Sequence, residues 1–236
     1  MDNAGYVVLT RQSGLMNEMR IVANNISNSS TSGFRQEGAI FSEYVKKSDN
    51  APFLSMALAN VGHTSFLQGS LTKTENPLDF AIDGDGFFQV ETPDGPRLTR
   101  AGGFSLSAEG DLVTHDGNRV LDSGGAPIAV PVGYASLHVA GDGTMSADGQ
   151  PFAQIGVVNP VDNDVVRQGG VLLEATNGTE PVEIPRVLQG FSENSNVDTI
   201  GQIARMIEVQ RAYEMGQSFL ENEHQRIRNM LSTIVK

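Results

Sequence analysis

Cysteine is absent from the 236 residues, and so is tryptophan. Without a thiol the chain has no disulfide, no zinc–thiolate site and no cysteine nucleophile, although this alone does not fix a compartment. Proline and glycine are scarce at both ends: all ten prolines lie between Pro52 and Pro185, and 20 of the 26 glycines between Gly62 and Gly190. The ends are therefore free to be helical, and the middle is rich in turns. No run approaches 18 apolar residues, and the N-terminus lacks the basic segment, unbroken apolar stretch and small-residue site of a secretory signal. Neither membrane insertion nor a cleaved signal peptide is expected. The hydrophobic content of 39% is low for an enzyme core.

Positive charge is also in short supply, with 16 Lys and Arg against 28 Asp and Glu. Residues 1–47 carry a net +1 and residues 197–236 a net zero, which leaves −13 of the total −12 on the stretch between them. No basic stripe is present to neutralise phosphates, so nucleic acid is not an expected partner. An acidic, self-repelling middle between neutral, apolar ends suits a protein that stays soluble until it assembles.

Catalytic patterns are missing as well. His63, His115, His138 and His224 are scattered, with no partner at metal-ligand spacing. No G-x-S-x-G, Walker or H-E-x-x-H string occurs, and the acidic residues of the middle gather at turns, where aspartate is expected on conformational grounds. Asp83 and Asp85 resemble the start of a calcium loop, but Phe88 stands where that loop turns on glycine and Asp94 where it needs a bidentate glutamate. Gly84 and Gly86 lack the third glycine and the helix of a dinucleotide fingerprint. No enzyme activity, metal or cofactor is expected.

What the chain does have is two apolar stripes with a seven-residue period. From Val197 onward, Met206, Tyr213, Leu220, Ile227 and Ile234 recur every seven positions, with Ile203, Val209 and Met230 one turn away. Such a helix over residues 197–236 would be roughly 60 Å long, about twice the diameter of a compact domain of this size, so part of its stripe must meet something else. The other end repeats the pattern: Leu9, Met16 and Ala23 fall seven apart, with Met19 and Ile26 interleaved and Val8, Leu15 and Val22 widening the stripe. Ser195 or Asn196 is placed to cap the second helix, and Asp198 suits the positive end of its dipole.

The first helix should end near Asn25 or Ile26, because Ser27 to Gly33 are residues that bond their own backbone. From Phe41 to Phe66 no period persists, and Pro52 rules out a helix, so an extended linker is expected over 35–68. Beyond Gly69, short alternating segments recur about every ten residues with turn signals such as Asp148-Gly149 and Asn177-Gly178 between them, the mark of an all-β domain. The expected fold class is α+β: 1–34 as helix and turn, 35–68 as linker, 69–192 as a domain of short antiparallel strands, and 193–236 as a second long helix. The two terminal helices are expected to pair in coiled-coil fashion with each other or with copies of themselves.

Several strings, in order, are similar to the flagellar rod and hook family. ANNISNSSTSGFR (Ala23–Arg35) resembles that family's ANNIANxxTTGFK, with Ser27, Ser32 and Arg35 in place of alanine, threonine and lysine. Its matching positions here are Asn24, Asn25, Asn28, Gly33 and Phe34. TENPLDFAIDGDGFF resembles TxxPLDLAIxGxGFF through Asp79, Gly84, Gly86 and Phe87, with Phe80 where leucine is common. TRAGGFSLSAEGDLVTHDGNRVL (Thr99–Leu121) follows TRxGxFxLxxxGxLVTxxGxxVL, while Asn196 and Val197 match ESNVD, and Arg211 and Tyr213 match MIxxQRAYE. The opening MDNAGYVVLTRQSGLMNEM looks more like the proximal rod members than the distal one, which usually opens on a leucine and tryptophan stretch absent here.

The resemblance implies a structural subunit of the bacterial flagellar rod, lying in the periplasm and exported through the flagellar type III apparatus without a cleaved signal. Implied partners are copies of itself, the inner rod proteins and the distal rod protein. A distal rod role is the alternative within the family, and a peptidoglycan-binding or hydrolytic β module with helical oligomerisation ends is the alternative outside it. In the rod reading, Leu9, Met16, Met19, Ala23 and Ile26 pack against Met206, Tyr213, Leu220 and Ile227 of the same or adjacent subunits. Arg211, Tyr213 and Glu214 are candidates for a polar lock on a neighbour.

Overall fold

In the computed structural model the chain is described over residues 2–48 and 51–234. It is α+β, with helix α1 (Asp2–Ser27) at one end, helix α2 (Thr199–Ile234) at the other, and antiparallel strands between them. The chain divides into two compact units. One, helical, comprises residues 1–27, 37–65 and 198–236; the other, built of β-strands, comprises 28–36 and 66–197.

In the helical unit, α1 and α2 meet through pairs that run in opposite directions along the sequence. Asn25 Nδ2 donates to Gln202 Oε1 at 3.1 Å, Glu18 Oε1 accepts from Arg205 Nε at 2.7 Å and lies 2.6 Å from its Nη2, and Gln12 lies against Gly216. Residues 35–68, expected as a linker, fold instead as a hairpin from Glu37 onward, with strands β1 (Glu37–Ser48) and β2 (Ala51–Thr64) paired from Glu37↔Thr64 to Ser48↔Ala51. Its register slips between Ile40 and Phe41, where Asn60 is the extra residue on β2. A bulge interrupts the alternation along the strand that carries it, in keeping with a sequence that shows no lasting two-residue period there.

The β unit opens with strands β3 (Leu71–Lys73), β4 (Phe80–Ile82), β5 (Phe87–Thr92) and β6 (Gly95–Thr99). Strand β5 is central to the largest sheet: β6 flanks it on one side, Arg119–Val120 and Val157–Pro160 also pair with it, and the sheet continues outward to Val165–Gly169 and Phe104–Leu106. The alternation of β5 explains its place. Phe88 and Val90 enter the main core with Phe80, Leu112, Ile128, Met145 and Ile155, while Phe87 faces a second cluster with Leu98, Val158 and Leu173. Phe104 joins Phe80 and Phe88 at ring-centroid distances of 5.9 and 5.4 Å, close enough for the tilted and edge-on contacts that aromatic pairs favour. The last strand, Phe191–Glu193, returns to pair with β3, so Glu193 stands opposite Leu71.

Candidate functional site

The signature strings, far apart in the chain, converge in the β unit on one carboxylate. Glu193 is 1% exposed. Its Oε1 lies 3.0 Å from Arg35 Nη2 and accepts from the Gly69 N–H at 3.0 Å, while its Oε2 accepts from Arg100 Nη1 at 3.0 Å. Its backbone carbonyl accepts from the Gly33 N–H at 2.8 Å. Both arginines are buried. Arg35 also donates to the Leu67 carbonyl, and Arg100 donates to the carbonyls of Ile82 and Gly84 at 3.2 and 2.6 Å, with its guanidinium over the Phe87 ring. Burial lowers the Arg35 pKa to about 10, opposed by the charge of Glu193; burial lowers Arg100 too, with the same carboxylate opposing it.

The geometry leaves no space for error at Gly33. Its φ is +71°, and a Cβ there would sit 2.1 Å from the Ala101 nitrogen, so only glycine permits this approach. Phe34, next in sequence, is buried beneath the Arg167 guanidinium, 4.4 Å from ring centroid to Cζ, and Arg167 Nη2 donates to the Arg35 carbonyl. Gly86 plays a related part. At φ +116°, a Cβ would meet Val157 Cγ1 at 2.6 Å, which accounts for the Gly-x-Gly pattern without any nucleotide or calcium ion. Gly84 supplies the carbonyl for Arg100, and Phe87 stacks edge-on to Phe66 at 5.8 Å. Asp79 bridges to Gly103, and its carbonyl accepts from Gly190.

Two asparagines hold consecutive peptide groups, each within its own unit. Asn196 Oδ1 accepts from the Gln36 N–H at 2.6 Å, and its Nδ2 donates to the Leu67 carbonyl at 2.7 Å, both inside the β unit. In the helical unit, Asn25 Oδ1 accepts from the Glu37 N–H at 3.0 Å while its Nδ2 donates to the Glu37 carbonyl at 2.7 Å, the double bond that a strand partner would make. Asn196 is therefore not the cap of α2, as expected from its position, and neither is Ser195, whose hydroxyl accepts from Val197. Helix α2 starts later, with the Asp198 carbonyl accepting from Gln202 as the first intrahelical acceptor. Asn28 accepts from the Thr31 hydroxyl, and the Asn24 carbonyl accepts from Ser27, so both serve the turn at the end of α1.

The assembly positions divide by exposure. On α1 the single chain buries Leu15, Glu18, Val22 and Asn25; Met19 and Ile26 are half-buried, Ala23 is exposed, and Leu9 and Met16 are 53% and 62% exposed. On α2, Val209 is buried and Met206, Tyr213 and Leu220 are half-buried, whereas Ile203, Ile227 and Met230 are exposed. The side chain of Ile234 lies outside the described residues. Arg211 and Glu214 are exposed, with Glu214 accepting from Gln210. Between the helices, Val8, Leu15, Ala212, Met215, Gly216 and Phe219 line an apolar groove of about 280 Å³.

The buried carboxylate and arginines join distant segments of the β unit, and the helices present partly uncovered apolar faces. The family described as flagellar hook protein FlgE/F/G D1 domain matches residues 81–147, and the one described as flagellar basal body rod FlgEFG protein C-terminal matches residues 188–233. The flagellar basal-body rod protein FlgF of Caulobacter vibrioides is 36% identical over 243 aligned residues, covering 100% of this chain and 99% of that one. FlgF of Mesorhizobium japonicum is 37% identical over 91% of this chain and 90% of its own, and the rod protein FlgG of Bacillus subtilis is 30% identical over 93% and 96%.

The chain belongs to the flagellar basal-body rod protein family and is a structural subunit of the rod in the flagellar basal body. Within that family FlgF fits it better than FlgG. It assembles with other rod and hook proteins and with itself, as membership of this family implies.

Proposed function

We propose that this subunit is a non-catalytic element of the proximal rod and that it polymerises through its terminal helices to carry torque across the periplasm. The observation that carries this reading is the split within the helical stripes: Leu15, Val22 and Val209 are covered inside the chain, while Leu9, Met16, Ile203, Ile227 and Met230 remain exposed. Burial of each large apolar side chain contributes about 1.5–3 kcal/mol, so a few such positions against neighbouring subunits offset the cost of ordering the helices. In the assembled rod the stripes close into coiled-coil-like seams, with Arg211, Tyr213 and Glu214 available as a polar lock. Torque passes through interlocked helices and not through a chemical step. The chain reaches this place through the flagellar type III export apparatus and stands between the inner rod proteins and the distal rod protein.

The register between α1 and α2 supports this reading. Continued from Gln12 and Gly216, α1 runs out opposite roughly residue 226, and Ile227 lies beyond it in the same seven-residue series as Leu220. Leu220→Asp and Ile227→Asp are expected to block incorporation into basal bodies while the β unit stays folded, read by basal-body isolation and circular dichroism. Normal motility in both variants refutes the proposal.

A further inference from the structure

Residues 33–36 are bonded to the rest of the β unit through Glu193, Asn196, Leu67 and Arg167, with the Asn196 N–H also donating to the Phe34 carbonyl at 3.3 Å, and the two buried arginines share these partners unequally. Among the described residues, Arg35 has two partners for its guanidinium, Glu193 and the Leu67 carbonyl. Arg100 has four: Glu193, the carbonyls of Ile82 and Gly84, and the face of Phe87. Two buried cations therefore share one carboxylate, and Asp85 favours their charged forms less than Glu193 does. Taking away one member of a buried ion pair leaves the other uncompensated, most severely for the group with the fewest other partners. Here that group is Arg35.

We propose that residues 28–36 are a detachable strap on the β unit and that Glu193 is the latch that holds it shut. The Arg35 guanidinium is paired with the Glu193 carboxylate, next to the Gly33 N–H on the Glu193 backbone carbonyl and the Gln36 N–H on Asn196. Without that carboxylate, Arg35 is a buried cation with one carbonyl, and its exit draws Gly33 and Phe34 off Ala101 and Arg167. The consequence is an order of closure. The N-terminal signature docks only after the chain from residue 66 through 193 has folded, so the root of α1 stays free until the C-terminal signature is present. This goes beyond a role in the rod and does not depend on it, since every residue involved lies in one unit of one chain.

Amide hydrogen exchange on the full chain tests the latch. In Glu193→Gln, amides of residues 33–36 are expected to lose protection at least tenfold, while those of β5 and β6 keep theirs. Tryptic cleavage after Arg35 should quicken relative to cleavage after the surface residue Arg119, 48% exposed on its side chain. Arg35→Gln is the second variant, because it leaves Glu193 paired with Arg100 alone; it should open the same residues with the core intact. Unchanged protection at 33–36 in Arg35→Gln overturns the proposal, as does loss of protection spread evenly over 33–36, β5 and β6 in that variant.

Discussion

At the scale of the residue, the β unit is decided by a few positions where either space or charge admits one solution. Gly33→Ala combines a left-handed backbone with a Cβ 2.1 Å from a backbone nitrogen that cannot yield. Strain of this kind costs about 1–3 kcal/mol before the clash is counted, so a loss beyond about 2 kcal/mol is expected in urea unfolding followed by circular dichroism. Asp148 acts electrostatically. Its carboxylate accepts from the Ser136 and Ala135 N–H groups and from the Ser136 hydroxyl, which holds its pKa below the ordinary aspartate value. A depressed carboxyl stabilises the fold above its unfolded pKa and loses that contribution as pH falls through the lower, folded value. Asp148→Asn should therefore flatten the acid limb of a stability curve below about pH 4 and leave the neutral region parallel to wild type. The importance of Gly33 and Phe34 was legible in the signature string. Arg100 and Glu193 stand inside signature strings as well, but their pairing with Arg35, and the part played by Arg167, were not legible, because a charged residue in a polar string reads as surface until its partners from distant segments are known.

Elements were legible in proportion to how local their cause is. Both helices show in the sequence because each repeats its apolar stripe without help from elsewhere, and glycine-rich turns punctuate the strands for the same reason. The face each helix turns inward was harder to read, since α1 carries two adjacent seven-residue series, Leu9-Met16-Ala23 and Val8-Leu15-Val22, and only packing chooses between them. The single chain chooses the second, aided by Glu18, whose pairing with Arg205 brings a charge into the seam. The pairing of β1 with β2 was not legible, although extended backbone was expected there, because the bulge interrupts the two-residue period. Asn25 is the device that starts this hairpin. Asn25→Ala removes both bonds to Glu37, at a cost of about 1–3 kcal/mol for the two together. Hydrogen exchange should quicken at residues 37–39 and 62–64, with the centre of α1 unaffected; equal protection at those amides in the variant contradicts this role.

For the whole molecule, the −13 lies between the ends, where single apolar side chains such as Leu67, Val132 and Ile184 are exposed, while on the terminal helices the uncovered apolar side chains are more numerous, among them Leu9, Met16, Ile203, Ile227 and Met230. Covered and uncovered apolar positions alternate on the helices, so the stability of the single chain and its association can be separated by mutation. Leu15 and Met16 make the test sharp because they are neighbours on α1 with opposite surroundings, one buried and one 62% exposed. Leu15→Asp places an unpaired carboxylate in the seam and should lower the stability of the isolated chain by several kcal/mol. Met16→Asp exchanges one solvated side chain for another and should stay within about 0.5 kcal/mol of wild type in the monomer. In a rod, however, the same aspartate would have to be buried among neighbouring subunits. Met16→Asp is therefore expected to give a stable, exported chain that fails to enter the basal body, and recovery of Met16→Asp in purified basal bodies at wild-type stoichiometry would show that this side of α1 faces solvent in the assembled rod as well.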